Sequence, residues 1–165
     1  MHRRFIALVL ASAAGIASAQ LLPDDPDWKE AQVPPPPALS TQRLIELEMP
    51  RSALRFGVDP ASITIGTDRI VRYVVVATSS TGTVNAMYEG VRCSSGEVKV
   101  YARHNPDSGW VASKSDWQPL HLTANSRHSL QIARNGACIG HAPNQTPAAI
   151  ARDLKQGADR RFMNN

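Results

Sequence analysis

Residues 70–78 read IVRYVVVAT, and this segment has the strongest strand pattern in the chain. β-Branched and aromatic side chains favour strands because they pack well on a pleated surface. Alternate residues of a strand point to opposite faces, and both alternating sets of this segment are largely apolar. We therefore predict a central strand that is covered on both sides.

Shorter strand-like segments lie on either side of this central strand. They are residues 44–49, 54–58, 63–65, 84–93 and 97–103. Turn-forming residues such as Gly82 and Gly96 separate the later segments, and the connections are only a few residues long. Short connections join antiparallel neighbours, whereas parallel neighbours need a longer crossover.

Two helices are predicted near the C-terminal end. The first begins at Asn125 or Ser126 and ends near Gly136, which would take a left-handed backbone conformation. The second is capped by Thr146, begins with a proline and ends before Gly157. The predicted fold is α+β: an antiparallel β-meander sheet of about five or six strands with one or two C-terminal helices packed on it.

The N-terminal residues have the pattern of a signal peptide. Residues 2–4 are basic, residues 5–16 are almost entirely apolar, and residues 17–19 are small. The apolar run of about twelve residues is shorter than the ~20 that a membrane-spanning helix needs. We expect cleavage between Ala19 and Gln20, no stable membrane anchor, and a soluble protein in an oxidising compartment, the bacterial periplasm.

The rest of the chain divides into three parts. Residues 20–40 form an extended lead-in whose four prolines, Pro34 to Pro37, favour a stiff polyproline II spacer. Residues 41–157 form a single globular domain, and residues 158–165 form a flexible tail. After cleavage 16 of the 18 basic residues remain against 14 acidic ones, and they are scattered. This distribution argues against a nucleic-acid partner.

The two cysteines, Cys93 and Cys138, predict one disulfide in an exported protein. The alternative is a zinc site, because Cys138 and His141 have C-x-x-H spacing. No third or fourth ligand lies nearby in the sequence, so we expect no metal.

The central block resembles the cryptic neisserial protein family. The similarity rests on residues 56–63, on Arg72-Tyr73, on the segment YEGVRC at residues 88–93, and on Tyr101-Ala102. It extends from about Trp28 to Cys138. The resemblance implies a small exported protein of Gram-negative bacteria, periplasmic or lipid-anchored, with no established activity. Gln20 departs from the lipid-anchored pattern, which has a cysteine at this position.

Glu89 is the carboxylate of greatest interest, because it lies in the middle of a predicted strand. Hairpin pairing brings it close to Arg72 or Tyr73, depending on the register. We interpret it as a structural partner within the sheet. The alternative is a small periplasmic hydrolase that uses Glu89 with a second carboxylate, Glu97 or Asp68.

The sequence contains no other catalytic pattern. The four histidines after residue 100 have no compact metal spacing, and we expect them at the surface. No serine elbow or phosphate-binding glycine loop occurs, and we expect no cofactor. Trp110 and Trp117 are predicted to cap the sheet. With Glu89, Arg72 and Tyr73 they are our candidate binding residues.

These features predict an uncharacterised, non-catalytic binding or interaction module. We expect its partner to be an envelope protein or a ligand. Neither the identity of that partner nor the oligomeric state has a signature in the sequence.

Overall fold

The computed structural model describes residues 27–121 and 127–157. The predicted signal peptide with its cleavage site, the start of the lead-in, the predicted helix start at Asn125 or Ser126 and the predicted tail lie outside these residues. None of the helices within the described ranges is long and apolar enough to cross a bilayer.

One antiparallel sheet of eight strands organises the domain, in the order β1-β2-β4-β5-β6-β7. Short strand β3 pairs with β4, and β8 pairs with β6. The bounds are β1 Ile45–Leu47, β2 Arg55–Val58, β3 Thr64–Ile65, β4 Ile70–Thr78, β5 Val84–Arg92, β6 Glu97–Asn105, β7 Gly109–Ala112 and β8 Gln118–Pro119. A 3₁₀ turn, Pro60–Ser62, lies between β2 and β3. The predicted α+β fold is confirmed. Strands β7 and β8 add to the five or six strands expected.

Helix α1, Arg127–Ile132, continues into a π-helical turn, Ala133–Ala137. The hairpin of β9, Cys138–Ile139, and β10, Ala142–Pro143, follows it. Helix α2 spans Pro147–Gln156.

The ends of α2 match the sequence prediction. The Thr146 hydroxyl accepts a hydrogen bond from the Ala149 N–H, and Gly157 has a φ of 67°. The predicted role of Gly136 is wrong, because it lies within the π-helical turn and is not left-handed. A Cβ at this position would lie 2.5 Å from Leu154 Cγ. Glycine is therefore required for the close approach of α2.

Strand β4 is covered on both sides, as predicted, since residues 70–77 are all buried. The helix face of the sheet packs against α1, the π-helical turn and α2. Its buried sheet residues include Val58, Val71, Tyr73, Val75, Val91 and Val98. The opposite side, which we call the lead-in face, buries Val74, Val76, Ala86, Tyr88 and Ala102.

Residues 27–44 lie across the lead-in face. Val33, Leu39 and Leu44 pack against its apolar cluster, and the Pro37 carbonyl accepts a hydrogen bond from Trp110 Nε1 at 2.8 Å. The segment has no helix or strand up to residue 44, in keeping with its prolines. The expected spacer is instead packed on the domain, because its apolar and aromatic side chains cover a sheet face that would otherwise meet water.

Candidate functional site

Glu89 lies on the helix face, directly opposite Tyr73 in the pairing of β4 with β5. The Tyr73 hydroxyl and the Ser129 hydroxyl donate to Glu89 Oε2 at 3.1 and 3.0 Å. His128 Nε2 lies 2.9 Å from the other oxygen, Oε1. The register thus selects Tyr73 over Arg72 as the neighbour of Glu89.

Glu89, Tyr73, Ser129 and His128 form a group that we call the Glu89 cluster. All four residues are removed from solvent. Glu89, Tyr73 and Ser129 are each 1% exposed, and His128 is 4% exposed. The expected surface position of His128 is wrong, because α1 turns this side chain toward the sheet. Its ring stacks on Phe56 with a centroid distance of 4.8 Å and an interplanar angle of 9°.

The electrostatics of the Glu89 cluster follow from its burial. Removal from water, together with the charge of Glu89, raises the pKa of Tyr73 well above its usual value. The phenol therefore stays protonated as the hydrogen-bond donor to the carboxylate. A buried carboxylate with several donors is a stable arrangement, whereas removal of one partner leaves a polar group unsatisfied.

A serine, a histidine and a glutamate can also form a nucleophilic catalytic triad, but the hydrogen bonds among these three residues are arranged differently here. In a triad the histidine bridges the carboxylate and the serine. Here Ser129 donates directly to Glu89, and His128 bonds to the same carboxylate. The carboxylates proposed as second groups for a hydrolase also lie elsewhere: Asp68 binds Arg72, and Glu97 accepts from Ser95.

Arg72 lies on the opposite side of the sheet, since neighbouring residues of a strand alternate. It is 2% exposed, and its two terminal nitrogens donate to the two carboxylate oxygens of Asp68. Glu30 of the lead-in lies 3.9 Å from Arg72 Nη2. Burial alone would raise the pKa of Asp68, but hydrogen bonds from Arg72 and from the Ile70 and Ala31 amides outweigh it and lower that pKa.

Glu30 ties the lead-in to β6. Its two oxygens accept from Tyr101 at 2.6 Å and Lys99 at 3.0 Å. Burial, with the acceptor Glu30 adjacent, raises the pKa of the Tyr101 phenol, which therefore donates this bond. Asp68 contributes a second attachment, because its carbonyl accepts from Trp28 Nε1 at 3.1 Å.

Aromatic rings add to these contacts between the lead-in and the sheet. We call the whole set the lead-in network; it consists of Glu30, Asp68, Arg72, Lys99 and Tyr101 with the rings of Trp28 and Trp117 and the guanidinium of Arg92. The Arg92 guanidinium lies 3.9 Å from the Trp28 ring centroid, a cation–π distance. Trp117 packs edge-on against Trp28 and Tyr101, with centroid distances of 6.2 and 6.4 Å.

The candidate binding residues therefore divide between the two sides of the sheet. Tyr73 and Glu89 meet on the helix face. Arg72 and Trp117 belong to the lead-in network. Trp110 lies in β7, partly buried, where it contacts His104 edge-on and donates to the lead-in.

An open groove lies on the lead-in face, where the lead-in enters β1, and sequence reasoning missed it. It encloses about 330 Å³, and its ionisable lining residues are Arg43, Glu46 and Arg55. Glu46 belongs to β1 and Arg55 to β2, whereas Arg43 precedes β1. Leu44 and Val76 supply apolar lining.

Cys93 and Cys138 form the predicted disulfide, with their Cα atoms 5.7 Å apart. The bond connects the end of β5 to the residue that follows the π-helical turn, and so ties helix to sheet. His141 is exposed, and its Nδ1 lies 3.3 Å from the Ser94 carbonyl oxygen. Within residues 27–121 and 127–157, no group of three or more His, Cys, Asp and Glu side chains is arranged to hold a metal ion.

Comparison with protein families gives a match to the model of the CNP1-like family over residues 23–155. The chain belongs to the CNP1-like family. No curated protein and no solved structure matches it. The CNP1-like region contains the Glu89 cluster, the lead-in network, the groove and both cysteines.

Proposed function

We propose that this protein is exported to the periplasm and acts there as a non-catalytic binding protein of the cell envelope. The signal-like pattern of residues 1–19 supports export. The Cys93–Cys138 disulfide suits an oxidising compartment. Gram-negative bacteria, which the sequence resemblance implies, have such a compartment.

The observation that carries the non-catalytic assignment is the state of Glu89. Its carboxylate is 1% exposed and bonded to three protein groups. A general acid or base must come within hydrogen-bond reach of its substrate. Glu89 instead makes its hydrogen bonds inside the domain, with residues of β4 and α1.

The open groove supports the binding role. Arg43 and Arg55 both line it and are exposed, and the space is large enough for a small ligand. Glu46 is the one carboxylate in its lining. A lone exposed carboxylate beside two arginines suits recognition better than acid–base chemistry.

Untargeted mass spectrometry of a periplasmic extract distinguishes binding from hydrolysis. The full mature protein is incubated with the extract, and compounds are quantified in both the bound fraction and the total. We expect at least one compound to be enriched in the bound fraction while its total amount stays constant. A compound that disappears with wild-type protein, and persists with Glu89→Gln, would overturn the proposal and establish the hydrolase.

Export has its own test. Osmotic shock should release the protein without detergent, and the intact mass should correspond to a chain that begins at Gln20. Recovery in the membrane pellet with the first 19 residues still attached would contradict export.

A further inference from the structure

The groove beside β1 combines charge with apolar lining. Arg43 precedes β1 and Arg55 begins β2, so arginines from two separate parts of the chain line one cavity. Neither arginine lies within ion-pair distance of a carboxylate in the described part of the chain. With Glu46 the ionisable lining carries a net charge of about +1.

The floor of the groove is shaped by Gly57. A Cβ at this position would lie 2.8 Å from Leu44 Cβ, closer than real contacts allow. Glycine therefore lets Leu44 lie against β2 while the cavity beside it stays open. Leu44 is half-buried, and Val76 lines the same cavity.

We propose that this groove binds a small amphipathic anion, with a carboxylate or phosphate between Arg43 and Arg55 and an apolar portion against Leu44 and Val76. Guanidinium groups suit both anions, because their N–H donors match the spacing of the oxygens. The inference deepens the proposed binding function, on which it rests, by naming a ligand class.

The backbone at Arg43 makes a sharp test possible. Its φ is 55°, in the left-handed region that glycine adopts without steric cost. Arg43→Gly therefore removes the cation while favouring the native backbone. Arg51 is also exposed and left-handed, with a φ of 64°, but does not line the groove. Arg51→Gly is thus a control matched in charge and conformation.

The experiment titrates the full mature protein by calorimetry and by NMR. Hexanoate and hexyl phosphate test the two anion chemistries. Inorganic phosphate tests charge alone, and neutral hexanol tests the apolar portion alone. We expect saturable binding of hexanoate or hexyl phosphate that is tighter than binding of either single-feature probe.

The variants locate the site. Arg43→Gly and Arg55→Gln should each weaken binding by about tenfold to a hundredfold, as expected for loss of a charge-assisted hydrogen bond. Arg51→Gly should bind like the wild type. Thermal unfolding of each variant verifies that it is folded.

The proposal is overturned if neither amphipathic anion binds saturably, or if binding survives in both groove variants. It is also overturned if Arg51→Gly weakens binding equally, because that result would indicate general charge attraction. A compound from the extract that both wild type and Arg43→Gly retain would preserve the proposed binding function while rejecting the groove as its site.

Discussion

Tyr101 occupies space that only a glycine at residue 90 leaves open. A Cβ on Gly90 would lie 2.7 Å from Tyr101 Cε2 and 2.8 Å from Ile70 Cγ2. The pairing of β5 with β6 also shifts here, because Tyr88 opposes Ala102 whereas Glu89 opposes Val100. The bulge thus places the Tyr101 ring over Gly90, where its hydroxyl reaches Glu30 of the lead-in.

Gly90→Ala should destabilise the domain by about 1–3 kcal/mol, because the added methyl group overpacks a filled site. Chemical unfolding in urea measures this loss. A second substitution, Tyr101→Ala, removes the ring that the methyl group meets. The two losses should therefore be less than additive in a double-mutant cycle. Strictly additive losses would show that Gly90 and Tyr101 are not coupled.

Glu30→Gln should loosen the lead-in, since it weakens the bonds from Lys99 and Tyr101 and removes the charge facing Arg72. Limited proteolysis should then cut residues 27–40 faster than in the wild type. The neighbouring Lys29 is exposed and provides the matched control, because Lys29→Ala should leave the cleavage rate unchanged. Equal cleavage of wild type and Glu30→Gln would contradict the anchoring role of Glu30.

Stability should fall as the pH rises above about 10, where an unperturbed tyrosine titrates. Burial raises the pKa of Tyr73 well above that value in the folded protein. Above pH 10 the unfolded chain releases a proton that the folded protein retains, so the free energy of unfolding decreases. Urea unfolding at pH 8 and pH 11 should show a smaller decrease for Tyr73→Phe. An unchanged decrease would assign the effect to other groups.

The disulfide should contribute ~4 kcal/mol in the chain-entropy description, because it closes a loop between residues 45 positions apart. Cys93→Ser and Cys138→Ser should each lower the melting temperature by several degrees. The double variant should be no less stable than either single one. Two free thiols in the unfolded, unreduced protein would contradict the bond.

Local patterns were sufficient to predict much of the fold. The β-branched run of β4 predicted a strand buried on both faces. Thr146 with its following proline predicted the start of α2, and a chain with two cysteines allows one intramolecular pairing. Each of these predictions depends on residues that are adjacent in sequence or on a single possible partner.

The sites depend on contacts between distant residues, which local patterns do not encode. His128 and Glu89 form a hydrogen bond although they are 39 positions apart in the sequence. The contact depends on the orientation of α1, which the spacing of its apolar residues did not predict. Trp28 and Pro37 lie in a segment without helical or strand periodicity, so its docking on the sheet had no sequence signal. The groove is lined both by Arg43, which precedes β1, and by Arg55, which begins β2, so it depends on how separate parts of the chain pack.

Unfolding of Glu89→Gln, measured beside ligand binding in the same preparation, tests most directly whether this carboxylate is structural. Glutamine preserves the shape but places an NH₂ group among the Tyr73, His128 and Ser129 groups that bond to the carboxylate. We expect the free energy of unfolding to fall by about 1.5–3 kcal/mol, the cost of losing charge-assisted hydrogen bonds. Binding of hexyl phosphate or of an extracted compound should change less than twofold. Unchanged stability together with loss of binding or of a measured turnover would contradict the account.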